Sequence, residues 1–440
     1  MKWSAPADKK VVEAVIAIFR EPEERSVERL AGLSYRSWVR SYYWLDASGL
    51  ALYFLDRLEA LGIEDAIPTA VLDRLRQNRA DNRVRSAVMF AEFCSLNQSF
   101  QAAGVQYANV KGFATSPESC PDPNLRCQLD LDFLVDGKDL ALCREILAKT
   151  GYVLTVTSST EWQFEAGSSE PARIEDYYKP KPQRSVELHF TCDEADPSQP
   201  TRDERLDRLS LRAWDDHLFP VLSSVDQFIA QSFHLLGHLR SAGTRPSWLL
   251  EYTQQVSALC DERPFWDEVR KATQKFPDAP IAIGLATLLS TRLFGGRAPI
   301  QLNEWTLDQL SAPIRLWADL YGKRAVLADI PGTKLYLLLE DEITRDNYSW
   351  QRKRKNLLPL YCSTRVCHAA PNEGLRKRLI QEYYQVCFLM FRLRFHAVEG
   401  ICYLIESVRW KRHLNALNQE VSYQDCISGS SSVQLKDTSL

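Results

Sequence analysis

No Cys-x-x-Cys pair occurs among the 11 cysteines of this 440-residue chain, and the odd count leaves at least one of them unpaired. Cysteines so scattered read as free thiols in a reducing compartment, and the ordinary composition argues against a disulfide-stapled scaffold. Uncharged apolar runs long enough to span a bilayer are also missing. The closest, Tyr383 to Ile405, is interrupted by Arg392, Arg394 and Glu399. The N-terminal stretch MKWSAPADKKVVEAVIAIFREPEERS has neither a long apolar run nor a small-residue cleavage site, so it reads as an amphipathic helix, and a cytoplasmic location is expected. A strong net charge is lacking as well. At −3 there is no global basic field to hold long nucleic acid, and any such partner would have to be gripped locally. No internal repeat is visible. What remains, with 45% apolar and 25% charged residues, is an ordinary globular composition on a chain long enough for two or three domains.

Apolar residues recur at three- and four-residue spacing from Ala51 to about Leu61 and from Thr69 to about Ala103, so the first segment, 1–104, is expected to be helical. The period then changes. Short β-rich runs follow at Gln106–Val110, Gln128–Val135, Tyr152–Thr157, Trp162–Ala166 and Ser185–Thr191, with one helix, Lys138–Thr150, between the turn pair Asp136-Gly137 and Gly151. This block, 105–195, reads as a compact α+β core built on a small mixed β-sheet. Helical spacing returns over 196–420, in Val225–Arg240, Trp248–Cys260, Phe265–Lys275, Ile281–Leu293, Leu307–Tyr321 and Glu373 to about Leu417. The polar end, 421–440, is expected to be a disordered tail.

Inside the core block lies the run Leu-Asp-Leu-Asp-Phe-Leu-Val, residues 129–135. Side chains alternate along a strand, so Asp130 and Asp132 share one face while Leu129, Leu131 and Phe133 take the other. Two carboxylates that close repel, and a buried charge without a partner costs several kcal/mol. A divalent cation with hard oxygen ligands, Mg²⁺ or Mn²⁺, would compensate them. An isolated Asp-x-Asp is also compatible with a strand-edge aspartate or a salt bridge to Arg126. A second run, Ser-Val-Glu-Leu-His-Phe, places Glu187 and His189 on one face, and Glu187 becomes a third carboxylate if the two strands are neighbours.

The ordered set VKGFATSPESCPDPNLRCQLDLDFLV, then a helix, GYVL and VELHF resembles the uncharacterised nucleotidyltransferase family within the DNA polymerase beta-like superfamily. The matching features are Lys111-Gly112 after a short strand, Arg126 before the pair Asp130-Leu131-Asp132, and Glu187-Leu188-His189. The likeness covers 107–192 and reaches more loosely into the helices around His234, His238 and Trp248. It departs at the Gly-Gly or Gly-Ser turn with which that superfamily holds triphosphate, which here is Lys-Gly. The resemblance implies a metal-dependent nucleotidyltransferase with Asp130, Asp132 and Glu187 as metal ligands and catalytic groups. Glu187 would also help take a proton from the acceptor hydroxyl. Lys111, Gly112 and Arg126 would hold the nucleotide phosphates. The partners implied are a nucleoside triphosphate and a small-molecule or sugar acceptor, with RNA or protein acceptors also open.

Competing readings are a glycosyltransferase that uses its Asp-x-Asp to hold a metal and sugar nucleotide, and a non-catalytic scaffold of the same fold. The glycosyltransferase needs a long parallel sheet before the motif, where the spacing reads as helix; the scaffold has no chemical need for converging carboxylates. Cys362, Cys367 and His368 lack a fourth zinc ligand at suitable spacing and read as free thiols. His189 reads as a core histidine, and His234 and His238 as packing residues on one helix face. The basic runs 351–355 and 409–413 could meet RNA, an anionic lipid surface or an acidic acceptor, but are read first as solvated helix faces.

Overall fold

A computed structural model describes residues 6–20, 24–167, 176–180, 184–193, 195–196, 199–214, 217–344, 357 and 374–431. Five helices come first: α1 Lys9–Arg20, α2 Glu24–Ala31, α3 Tyr35–Ala47, α4 Ala51–Leu61 and α5 Thr69–Ala102. Then follow β1 Tyr107–Val110, β2 Leu131–Val135, α6 Leu140–Lys149, β3 Val153–Thr157, β4 Glu161–Ala166 and β5 Arg184–His189. The two-residue strands β6 Thr191–Cys192 and β7 Pro200–Thr201 pair with each other, and the hairpin β8 Ser210–Trp214 and β9 His217–Val221 completes the sheet. Helices α7 Ser224–Leu239, α8 Pro246–Ala258, α9 Arg263–Thr273 and α10 Ala279–Phe294 come next, then shorter helices and the C-terminal helix Leu375–Ser431.

The seven strands lie in the order β3-β4-β5-β2-β1-β9-β8. Pairing is parallel at β1/β9 and β2/β5 and antiparallel elsewhere, a mixed sheet set among helices: an α+β fold. Its hydrophobic face is set by alternation. Phe133, Val135, Val186 and Leu188 point into a core with Phe93 and Phe100 of α5 and Leu147 of α6. The Phe133 ring is fully buried, its centroid 5.2 Å from that of Phe100. The first turns of α5 bury Val71, Leu72 and Leu75 in a second, larger core with α1, α3, α4, α7, α8 and α10. On the opposite side of the sheet a small cluster forms among the described residues, in which Ala108, Leu134, Leu206 and Leu222 meet Ala230 of α7.

The structure differs from the sequence expectations in four places. The sheet continues past 195, because the hairpin β8–β9 lies within the segment expected to be helical. Leu211 and Leu218 on that hairpin are 71% and 59% exposed while Phe219 and Val221 are buried, so its apolar residues divide between the two faces. β2 starts at Leu131, so Asp130 stands just before the strand rather than in it. The helix expected over Leu307–Tyr321 is broken into a 3-10 turn, Leu307–Gln309, and a new helix, Ala312–Trp317, with Pro313 in its first turn, where a proline is tolerated. The C-terminal helix runs to Ser431, past the Leu417 expected for it, while 432–440 lie outside the described residues.

Phe133 occupies the strand's core face, opposite Asp132. Phe133→Ala is expected to cost about 3–5 kcal/mol through lost burial and a cavity. Val153→Ala on the exposed edge strand should change stability by under about 0.5 kcal/mol. Urea denaturation of the two variants tests the assignment, and equal losses would refute it.

Candidate active site

β2 and β5 run in parallel with Asp132 opposite Glu187 and Leu134 opposite His189. Since Phe133 and Leu188 fill the core beneath, Asp132, Glu187 and His189 must rise from the other face. Their ligand atoms lie within 4.8 Å of one another, a grouping suited to a metal ion. Asp132 is buried; Glu187 and His189 are partly open. Asp130, expected to share in that convergence, stands outside this closest group, and His189, expected to be a core residue, belongs to it.

The cluster already contains a cation. The Lys111 ammonium donates to Asp132 Oδ1 at 2.7 Å and lies 3.6 Å from Glu187 Oε2 and 3.2 Å from His189 Nε2. His189 Nε2 is also 3.0 Å from Asp132 Oδ1, and its Nδ1 faces Glu161 Oε2 at 3.6 Å. Gln163 reaches from β4 toward Glu161 and Glu187. Burial alone would raise the Asp132 pKa, but the Lys111 charge and the His189 bond outweigh it and hold that carboxyl well below the usual range. Glu187 is pushed up to about 8, first by burial and then by the charges of Asp132 and Asp130. Asp130 is pushed up to about 6, again by burial and then by Asp132. Burial would lower the Lys111 pKa, and Asp132 reverses that. These carboxylates therefore feel one another strongly, and a single ammonium offsets only part of the repulsion.

The turn that delivers Lys111 is strained. Its φ of 56° and ψ of −164° make it the one non-glycine residue with positive φ among those described. Such a backbone costs on the order of 1–3 kcal/mol and persists only where the surroundings enforce it. Gly112 follows at φ 45°, and a Cβ there would meet Gln128 Nε2 at 2.2 Å. The space expected to admit phosphate to the Gly112 backbone is thus occupied by Gln128, which donates to the Asp130 carbonyl at 2.9 Å and links the Lys-Gly turn to the Asp-x-Asp.

The loop before β2 is clamped from α5. Arg85 donates to the Gln128 carbonyl at 2.7 Å, and Asn82 donates to the carbonyls of Asn124 and Arg126 at 2.7 and 3.1 Å. Arg126 pairs with Glu251 of α8 at 3.1 Å rather than with Asp130, and Tyr53 of α4 donates to the same carboxylate at 2.9 Å. Beside the cluster, between the sheet and α7–α8, lies a cavity of about 230 Å³. Lys111, Arg126 and His189 form its polar side and Leu134, Leu222 and Ala230 its apolar side. His234 and Trp248 form a wall, with ring centroids 4.9 Å apart and the His238 ring tilted against Trp248 at 4.2 Å. Burial, then His238, Lys111 and Arg126, push the His234 pKa down to about 3, so this imidazole is neutral at physiological pH.

The alternation of VELHF had already set His189 beside Glu187, yet sequence gave no sign that the ring would reach Asp132. Glu161 and Gln163 had a similar signal in the alternation of EWQFEA. Glu251, in an apolar helical run, had none. Cys362, Cys367, His368 and the basic run 351–355 lie outside the described residues.

The raised Glu187 pKa fixes a pH dependence. Unfolded, this carboxyl loses its proton near 4.5; folded, it keeps the proton until about pH 8. Native stability therefore falls across that window and stays lowered above it. In metal-free buffer, Glu187→Gln is expected to melt increasingly above wild type as pH rises from 5 to 9. A difference independent of pH would show that Glu187 does not titrate as its surroundings dictate.

The family model described as uncharacterised nucleotidyltransferase matches residues 34–295, from the start of α3 to the end of α10, and so takes in the sheet, the carboxylates and the cavity. The chain is also similar to the crystal structure of an antigenic nucleotidyltransferase-like protein from Paracoccidioides brasiliensis, at 13% identity and a TM-score of 0.27, over 47% of this chain and 91% of that one. Comparison with curated proteins returns no match. With more than half of its length matched, the chain belongs to the uncharacterised nucleotidyltransferase family.

Proposed function

We propose that this protein is a divalent-metal-dependent enzyme that moves a nucleoside monophosphate from a nucleoside triphosphate to a hydroxyl of a small-molecule or sugar acceptor. The observation that carries this reading is the register pairing of Asp132 with Glu187, which gathers the two carboxylates with His189 beside a cavity that Lys111 and Arg126 line. The donor set fits a metal. Asp132, Glu187 and His189 would hold it, with Asp130 close enough to add its charge. Two carboxylates suit Mg²⁺ or Mn²⁺, and the imidazole nitrogen favours Mn²⁺. Such an ion supplies positive charge against the negative charge gathering on the transferred phosphate.

The chain's own groups supply the rest. Lys111 is poised to exchange a carboxylate partner for a phosphate oxygen, and Arg126, braced by Glu251 at the cavity wall, adds a second fixed positive charge. Gly112 lets the turn pack against Gln128 and so aims Lys111. Glu187, ionised once a cation shares the site, would help take the proton of the acceptor hydroxyl. Binding pockets for drug-sized ligands span roughly 300–1,000 Å³. At about 230 Å³ the cavity favours a small acceptor or a single sugar over an RNA or protein chain. A triphosphate donor and free thiols fit a cytoplasmic enzyme.

A screen of α-labelled nucleoside triphosphates with Mn²⁺ or Mg²⁺, followed by pyrophosphate release and label transfer, tests the reading. Asp132→Asn should lower transfer by roughly a hundredfold or more and abolish the rise in melting temperature that Mn²⁺ gives the wild type. Lys111→Ala should bind Mn²⁺ more tightly and nucleotide more weakly, since the ammonium and the metal share Asp132. Transfer from a nucleotide sugar would favour the glycosyltransferase reading. Failure of any triphosphate to bind with metal would leave a scaffold.

A further inference from the structure

The C-terminal helix Leu375–Ser431 is oriented against the usual rule that a surface helix turns its apolar side inward and its charged side to water. Its inward side carries Tyr403 and Trp410, both buried, together with Glu406. Trp410 Nε1 donates to Glu342 at 3.2 Å, and Glu406 accepts from Tyr321 and Arg324, each at 3.2 Å. Its outward side is apolar. A stripe runs from Leu379 through Tyr383, Met390, Leu393 and Ile401 to Val408, each residue 54–67% exposed. At 1.5 Å per residue it is about 45 Å long.

Basic residues edge this stripe. Arg376, Arg394 and Arg412 are all exposed, and successive members stand about five turns apart, so they fall on one line along the helix. Lys411 and Arg409 add charge at its far end. Glu406, by contrast, is turned inward and paired. Among the described residues no helix is long and apolar enough to cross a membrane.

From this placement we infer that the helix lies in the surface of an anionic lipid bilayer, its stripe among the acyl chains and its arginine line at the headgroups. An amphipathic helix with cationic residues beside a broad apolar face binds in this way, and each basic side chain near the surface strengthens the attraction. A second copy of the chain suits the face less well. Two arginine lines brought together repel, whereas anionic headgroups complement them. The inference is independent of the catalytic reading.

The test is flotation of the full-length protein with phosphatidylcholine vesicles, with and without phosphatidylglycerol. Binding is expected only with the anionic lipid and should weaken as salt rises. Met390→Glu with Ile401→Glu should reduce binding by about tenfold or more, because charge replaces exposed apolar area. Arg376→Gln, Arg394→Gln and Arg412→Gln together leave the stripe intact and should remove the lipid preference, so the question stays decidable if the first variant misfolds. No flotation at low salt, or equal flotation with both lipids, would overturn the inference. So would a concentration-dependent dimer that the glutamate variant dissolves and that does not bind vesicles.

Discussion

The contact between the Lys111 ammonium and Asp132 is the interaction on which the site depends. Strand alternation and the parallel pairing of β2 with β5 leave no choice about where Asp132 and Glu187 go, because the core beneath them demands Phe133, Val186 and Leu188. The sheet therefore concentrates negative charge whether or not a ligand is present. Burying one unpaired carboxylate costs several kcal/mol. That exceeds the roughly 1–3 kcal/mol stored in an unfavourable backbone, which explains why the chain keeps Lys111 at positive φ. Gly112 and Gln128 hold the turn in that shape.

The helical body stands around this sheet as a set of braces. Asn82 and Arg85 of α5 fix the loop before β2 through its carbonyls, and Tyr53, Glu251 and Arg126 tie the same loop to α4 and α8. Burial raises the pKa of Glu251 even though Arg126 opposes the shift, so this pair gains less from its charges than a surface view of the distance suggests. Its value is positional: it presents one face of Arg126 to the cavity. Sites held by such braces keep their geometry before a ligand arrives, which is the condition for electrostatic catalysis.

Much of the sheet was legible because alternation is a local signal. Tyr107–Val110, Val153–Thr157 and Glu161–Ala166 fall within a residue of where the β-rich runs place them. The hairpin β8–β9 escaped because its two strands are five residues each, with Leu211 and Leu218 exposed and only Phe219 and Val221 buried, and its pairing with β1 joins positions far apart in the chain. In the site, the residue types and their faces could be read, since both depend on one strand at a time. The distances could not. Whether Lys111 meets phosphate or Asp132, and whether Arg126 meets Asp130 or Glu251, is decided by which distant segment arrives beside it. The outward apolar side of the C-terminal helix was hidden for the same reason, since sequence spacing shows that a stripe exists without showing which way it faces.

The 34-residue helix α5 begins in one hydrophobic core and ends in the other. A rod shared in this way cannot lose its packing at one end and keep its full stability at the other, because helix hydrogen bonds propagate along it. The sheet and the helical body thus share one continuous element, whose first turns belong to one core and whose last turns belong to the other. A chain cut after Ala102 would therefore keep α5 with the N-terminal helices and strip the sheet of Phe93, Leu96 and Phe100, which close the core beneath it.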